Sequence, residues 1–139
     1  MAVRSYEIEL STRGNNSMYD VTEQVNQHIK ASGMQNGIAT VFCPSATSAL
    51  TTIEYEDGAL ADFERLFEEI VDANRPYQHN ERWRDGNGHS HIRAALLGPS
   101  ITVPFVNTYL TLGTWQAILY IDFDVRPRHR TLIVQVIGE

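Results

Sequence analysis

The segment WQAILYIDF, Trp115–Phe123, is almost uninterrupted in its apolar character. A strand with one wet face alternates apolar and polar residues, whereas a strand covered on both faces is apolar throughout. The segment therefore predicts a central strand, and we expect Trp115 to lie in the core. After it, Thr131–Ile137 alternates, with Leu132 on one face and Ile133 on the other, which predicts a second strand.

Working outward from this segment, apolar spacing predicts two main helices and further strands. The helices are predicted from Asp20 to about Gly33 and over Leu60–Val71, with a short third helix over Ile92–Leu97. The other extended segments are predicted at Ser5–Ser11, Gly37–Cys43, Leu50–Glu56 and Ile101–Val106. These patterns predict an α+β fold: one domain over residues 1–139, with a mostly antiparallel sheet or sandwich core.

Composition narrows the class of function. The chain has 139 residues, 42% of them hydrophobic, and a formal net charge of −6, which argues against a general nucleic-acid binder. A basic run at Arg126–Arg130 still allows a local basic pocket. The lone Cys43 excludes an internal disulfide, and no apolar run has the length of a membrane span or signal peptide. We expect a soluble cytoplasmic protein that binds neither nucleic acid nor membrane.

Polar chemistry concentrates in PYQHNERWRDGNGHSHIR, Pro76–Arg93, which holds three of the five histidines. If the chain is extended across residues 89–91, His89 and His91 lie on the same side and point at one ligand. Together with His79 they are predicted metal ligands, since neutral imidazoles suit zinc and an open position would make the ion a Lewis acid. The alternative is an ordinary network of turn and cap residues.

Other residues extend this hypothesis to an anionic substrate. The hydroxyls of Ser45, Thr47 and Ser48 follow a predicted strand, where they either form a turn or donate to a phosphate. The predicted helix that begins near Ile92 offers free N–H groups, so an anion could lie beside His91 and Arg93. Asp85 is either a turn former or a partner of the site, and Asn87 is predicted to contact the substrate.

Five motifs occur together in the order of a known family. They are Tyr77–Asn80, Asp85–His91, Leu97–Ser100, Leu112–Gln116 and Gln135–Glu139. The chain resembles the YjbQ-like family, also called the secondary thiamine-phosphate synthase family, from about Tyr6 to the C-terminus. The resemblance implies a compact α+β fold with β-sheets as the core, a homotrimer, and a weak, secondary thiamine-phosphate synthase activity.

One position departs from the family pattern. Many members carry a histidine at the head of a His-Thr-Ser/Thr-Ala motif after the second strand, and here that position is Ser45. If that histidine is a metal ligand in other members, this chain must use fewer ligands or bind through hydroxyls.

Two functions follow from these residues. The first is a small metal-assisted enzyme, using zinc or magnesium, that acts on a phosphorylated small molecule and carries His91, Asp85 and Arg93 as catalytic residues. Thiamine-phosphate synthesis is the best named candidate reaction, as a side activity. The alternative is a non-enzymatic homotrimer that binds a metal or a small anion.

Overall fold

The computed structural model describes all 139 residues, in eight strands and four helices. The strands are β1 (Ala2–Thr12), β2 (Ser17–Asp20), β3 (Gly37–Phe42), β4 (Ser48–Ile53), β5 (Ser100–Val106), β6 (Tyr109–Leu110), β7 (Ala117–Asp122) and β8 (Arg128–Gly138). The helices are α1 (Thr22–Ser32), α2 (Asp57–Ile70), α3 (Gln78–Trp83) and α4 (Gly88–Leu97). No helix is long and apolar enough to cross a membrane.

The strands form two antiparallel sheets. A five-stranded sheet has the order β1-β8-β3-β5-β6, and a three-stranded sheet has the order β2-β7-β4. Long strands β1 and β8 pair along their full length, from Ala2 opposite Gly138 to Thr12 opposite Arg128. The α+β fold with an antiparallel, two-sheet core is the one predicted from the sequence.

The predicted central strand is confirmed as β7, whose six residues are all buried. Ile118 and Tyr120 point into the main core between the two sheets, which also receives α1. Ile121 and the following Phe123 point the other way, into a smaller cluster beneath α2 and α4. Burying each such side chain stabilises the fold by about 1.5–3 kcal/mol. Strand β7 therefore depends on the main core on one face and on the cluster beneath α2 and α4 on the other.

The ends of the main helices follow local chemistry. Helix α1 stops at Gly33, which adopts a left-handed φ of 74° as the sequence predicts. Helix α2 begins after Glu56, whose side chain accepts a 2.6 Å hydrogen bond from the N–H of Ala59. Phe67 then packs edge-on against Phe123 and anchors α2 to the three-stranded sheet.

Two sequence predictions are wrong around the predicted chemical segment and the central strand. Helix α4 starts at Gly88 instead of near Ile92, because Asn80 accepts a 2.8 Å hydrogen bond from the Gly88 N–H across the preceding loop. Trp115 lies before β7 and is 75% exposed, so it is not a core residue. Trp115 was predicted to be buried because it directly precedes an apolar run, but the strand begins only at Ala117 and Trp115 lies outside it.

Candidate functional site

The candidate site lies where the β3–β4 loop meets the first turns of α4. A cavity of about 300 Å³ opens there, lined by Ser45, Ala46, Ser48, His91, Ala94, Ala95 and Pro99. The structure thus brings the predicted hydroxyl segment and the predicted histidine segment to one cavity, although they are far apart in sequence. This cavity is smaller than three open clefts elsewhere on the surface, and we select it for its chemistry.

His91 packs against His79 at the side of this cavity. Their ring centroids are 4.4 Å apart and the rings are tilted by 40°. Asp85 reaches 3.5 Å from Nδ1 of His79, which is a close charge contact but not a formed hydrogen bond, and this Nδ1 has no hydrogen-bond partner. The structure therefore assembles three predicted site residues, His79, Asp85 and His91.

The environment of His91 keeps its imidazole neutral near pH 7. Burial, followed by the neighbouring His79, lowers the pKa of His91 below its ordinary value. Asp85, Asp124 and the backbone of Ala46 oppose this shift without reversing it. A neutral imidazole has one N–H donor and one acceptor nitrogen, so His91 can donate to an anion or accept a proton.

His89 does not share this location, and the prediction that His89 and His91 point the same way is wrong. Both residues lie on a helix, where two steps rotate the side chain by about 200°. His89 is only 6% exposed, and its Nδ1 is buried without a hydrogen-bond partner. Burial, followed by the charge of Arg93, lowers the pKa of His89.

The three histidines predicted as metal ligands are therefore not one ligand set. No group of three or more His, Cys, Asp or Glu side chains is positioned to hold a metal ion. The residues that do meet are two imidazoles and one carboxylate, and they lack the spacing of a formed site. Ser45, which stands in place of the family histidine, lines the cavity beside them.

The hydroxyl segment forms the turn that was one of the two roles considered from the sequence. The Ser45 hydroxyl accepts a 3.2 Å hydrogen bond from the N–H of Thr47, which makes a local turn. Ser48 also lines the cavity, but its hydroxyl is buried beside the Cys43 thiol and the Tyr120 hydroxyl and is not open to the cavity.

Thr47 and Asn87 both bind Asp124, a residue that sequence reasoning did not single out. The hydroxyl of Thr47 and the amide of Asn87 donate to Oδ2 of Asp124 at 3.0 and 3.3 Å. Burial alone would raise the pKa of Asp124, but these hydrogen bonds, the N–H of Arg126 and the charge of Arg128 outweigh it and lower the pKa. Asp124 therefore ties the hydroxyl segment to the start of α4.

A second buried carboxylate, Asp122, belongs to the same hydrogen-bond network as Thr47 and Asp124. Arg130 donates to both of its oxygens, at 2.8 and 3.0 Å, and also to the Thr47 hydroxyl at 2.8 Å. Thr12 adds a 2.6 Å hydrogen bond to the same carboxylate. The pairing of Asp122 with Arg130 could have been predicted, because Asp122 is an aspartate in an otherwise apolar strand and a buried charge needs a partner.

Arg93, predicted as a catalytic residue, lies outside this cavity. Its side chain is 1% exposed and donates twice to the carbonyl of Val71, at 3.0 and 2.7 Å. It also donates to Asn16 at 2.8 Å and contacts Glu68 at 3.3 Å. The guanidinium holds the end of α2 and the β1–β2 loop, and it is not one of the groups that the structure gathers around His91.

The fold and this cavity define a small two-sheet α+β protein whose candidate site places Ser45 and His91 in a mainly apolar lining. The family described as UPF0047 protein YjbQ-like matches residues 6–139 of the chain. A UPF0047 protein of Methanothermobacter thermautotrophicus is 40% identical over 139 residues, which cover 100% of this chain and 95% of the relative. The chain belongs to this family.

Further relatives agree in sequence and in fold. The UPF0047 protein YugU of Bacillus subtilis is 32% identical and covers 94% of this chain and 97% of its own. A crystal structure of a hypothetical protein from Aeropyrum pernix aligns with a TM-score of 0.90 at 30% identity, covering 98% and 99% of the two chains. A protein of unknown function from Sulfolobus solfataricus aligns with a TM-score of 0.89 at 29% identity, covering 99% and 100%.

Proposed function

We propose that this chain is a small enzyme that acts on a phosphorylated small molecule bound in the cavity between Ser45, Ser48 and His91. The observation that supports the proposal most is the meeting of the His91 imidazole, whose pKa is lowered, and the partly exposed Ser45 at one cavity. Hydroxyl and imidazole N–H groups donate hydrogen bonds to phosphate oxygens and stabilise charge that develops on them. Asp85 would orient His79, which packs against His91.

The nearby acids do not exclude an anion. The charge of Asp124 is balanced by Arg128 at 3.2 Å and Arg130 at 3.7 Å. The charge of Asp122 is balanced by the same Arg130 at 2.8 Å. These two carboxylates therefore add little net negative charge near the cavity, and the hydrogen-bond donors that line it would determine which ligand binds.

Thiamine-phosphate synthesis, as a weak secondary activity, is the named reaction that the family resemblance implies. A thiazole nitrogen attacks the methylene carbon of an activated pyrimidine, so that a C–N bond forms. The C–O bond to pyrophosphate breaks, and pyrophosphate leaves with the bonding electrons. In this reaction the hydroxyl of Ser45 and the N–H of His91 would stabilise the charge on the leaving group.

The reaction can be tested directly. We expect purified protein to form thiamine phosphate from the pyrimidine diphosphate and the thiazole phosphate. We expect His91→Ala and Ser45→Ala to lower the rate by about 10²-fold, as the loss of one transition-state donor does in other enzymes. His129→Ala, at an exposed position on β8, is the matched control. Phosphate binding without turnover would favour the non-enzymatic anion-binding alternative, and absence of both would contradict the proposal.

A divalent metal, zinc or magnesium, belongs to the proposal only at His79, Asp85 and His91, which would have to move to coordinate it. Ser45→His would add a third imidazole at the same cavity and should increase the affinity for zinc, measured by isothermal titration. Ala46→His, one residue further along, is the control. Equal zinc affinity in the two variants and the natural chain would contradict a metal role for this cavity.

A further inference from the structure

The two walls of the Ser45–His91 cavity belong to different segments of the chain. Ser45 lies in the loop between β3 and β4, and His91 lies near the start of α4. A third segment, Phe123–Val125, follows β7 and makes hydrogen bonds to both walls. None of its three residues lines the cavity, so it acts on the cavity only through the walls.

The backbone of Phe123 joins the two walls. Its N–H donates to the carbonyl of Thr47 at 2.9 Å, two residues from Ser45. Its carbonyl accepts a 2.6 Å hydrogen bond from the hydroxyl of Ser90, which directly precedes His91. These two bonds need no side chain of Phe123, and they bring Thr47 and Ser90 to the same short stretch of backbone.

The side chain of Asp124 adds a second bond to each wall. Its Oδ2 accepts hydrogen bonds from the Thr47 hydroxyl and the Asn87 amide, at 3.0 and 3.3 Å. Asn87 is the N-cap of α4, yet its side chain makes no capping bond to the helix. Its side-chain oxygen instead accepts a 3.3 Å hydrogen bond from the N–H of Val125. An asparagine at this position ordinarily stabilises its own helix, so this side chain stabilises the junction with Asp124 instead.

Asp124 can hold both walls because it is a buried, ionised acceptor. It is 2% exposed, its Oδ1 accepts the N–H of Arg126 at 3.1 Å, and Arg128 lies 3.2 Å from Oδ2. Burial raises its pKa, but the hydrogen bonds and Arg128 outweigh that effect, so the carboxylate is ionised at neutral pH. An ionised carboxylate only accepts hydrogen bonds, so the Thr47 hydroxyl and the Asn87 amide meet it as donors and are oriented by it.

The charge of Asp124 also acts on the cavity. The charged and titratable groups that face His91 are His79 from α3, Asp85 from the loop before α4, and Asp124. Burial and then His79 lower the pKa of His91, whereas the two aspartates and the backbone of Ala46 raise it. An anion in the cavity is repelled by Asp124 in the same way. Removing that charge should therefore strengthen anion binding, if electrostatics alone decides.

We propose that Asp124 is a positioning residue of the candidate site, which holds Ser45 and His91 at the separation in which both contact one ligand. The role belongs to its hydrogen bonds to the two walls and not to any attraction between its charge and the ligand. The proposal rests on the proposed function, because a fixed separation of Ser45 and His91 matters only if a ligand binds between them. The separation itself can be measured in the chain without a ligand.

The first measurement is the proximity of the two walls. The His91 imidazole lies within hydrogen-bonding reach of the Ala46 backbone, so a nuclear Overhauser effect between the His91 ring and Ala46 should be present in the natural chain. Asp124→Asn keeps the size of the side chain but replaces one accepting oxygen by a donor, so part of the network must break. Thr47→Val removes the hydroxyl that donates to Asp124 and leaves the charge in place. We expect both variants to weaken this Overhauser effect.

Thr12→Val is the matched control for Thr47→Val. It removes another buried hydroxyl, which donates to Asp122 at 2.6 Å and bonds to neither wall, so the Overhauser effect should persist. If Asp124→Asn does not fold, Thr47→Val decides. An Overhauser effect that persists in Asp124→Asn and Thr47→Val, or that weakens equally in Thr12→Val, would overturn the proposal.

The second measurement separates positioning from electrostatics. Pyrophosphate is titrated into the full chain by calorimetry at about pH 8, where an imidazole with a lowered pKa is neutral. Asp124→Asn removes a negative charge near the cavity and the partner of Arg128, so electrostatics predicts tighter binding. Positioning predicts binding about tenfold weaker, equivalent to the loss of one hydrogen bond to a charged ligand.

Tighter or unchanged pyrophosphate binding in Asp124→Asn would argue that the carboxylate does not position the site, and the proposal would fall. A natural chain that binds no pyrophosphate would contradict the proposed function instead. The Overhauser effect would then still decide whether Asp124 holds the two walls together, so the two ideas fail separately.

Discussion

His89 illustrates how a single buried residue connects stability to pH. Its imidazole is buried, with Arg93 and Glu68 as the charged groups that face it, and its pKa is lowered. Between that lowered value and the unfolded value of about 6.5, the unfolded chain binds more protons than the folded chain. The stabilisation is therefore complete above about pH 6.5 and is lost as pH falls from there.

We expect the melting temperature of the natural chain to fall more steeply below pH 6.5 than that of His89→Gln. Differential scanning calorimetry between pH 8 and pH 5 measures the difference. His91 also has a lowered pKa and contributes to the same pH window, so part of the slope should remain in the variant. His129→Gln, on the surface, is the control, and parallel profiles for His89→Gln and the natural chain would contradict this account.

Arg93 is expected to stabilise the fold and not to take part in chemistry at the cavity. Arg93→Met leaves the carbonyl of Val71 and the side chain of Asn16 without their donor, in a place that water does not reach. We expect a loss of about 2–4 kcal/mol in the free energy of unfolding, measured with urea. Arg93→Lys restores a charge but not the fork of donors, so it should recover less than half of the loss. Natural stability in either variant, with ligand binding lost, would support the catalytic role predicted from the sequence.

At the scale of elements, the start of α4 depends on a close contact. A Cβ on Gly88 would lie 2.5 Å from the Cβ of Tyr77, so an alanine there must push the two segments apart. We expect Gly88→Ala to lower the free energy of unfolding by about 1–3 kcal/mol and to displace His91 from His79. Gly86→Ala is the matched control, because its Cβ would meet nothing, and only its φ of 67° opposes it. Nuclear magnetic resonance shifts of the two imidazoles report the displacement, and a larger effect at Gly86 would contradict it.

Some helices and strands could be predicted from the sequence and others could not. Strand β7 and the end of α1 were predictable, because an apolar run and a glycine C-cap act locally. The start of α4 was not, because Asn80 caps it across a loop, and the incorrect position of His89 followed from that error. The cavity was predicted through Ser45 and His91. The tie between Thr47 and Asp124 was not, because residues 77 positions apart meet only through the packing of the sheets.

At the scale of the whole molecule, assembly is the main expectation. The family resemblance implies a closed homotrimer, and the outward face of the five-stranded sheet, with half-exposed Val3, Ile38 and Phe42, offers a surface for it. Static light scattering at micromolar concentration should report about three times the chain mass of 15.7 kDa. The Ile38→Glu variant should report a smaller mass, and Leu66→Glu should not. A natural chain that remains monomeric at that concentration would contradict the trimer.

The burial of Cys43 has a practical consequence for measuring motion. It is the only cysteine of the chain, it is 1% exposed, and its thiol lies 3.5 Å from the carbonyl of Ser48, behind the cavity wall. Burial raises the pKa of this thiol, so in the closed state it is both hidden and protonated. An alkylating reagent can then react only while the β3–β4 segment is open. The rate of Cys43 alkylation therefore measures how often the β3–β4 segment opens. A ligand that fills the cavity should lower that rate.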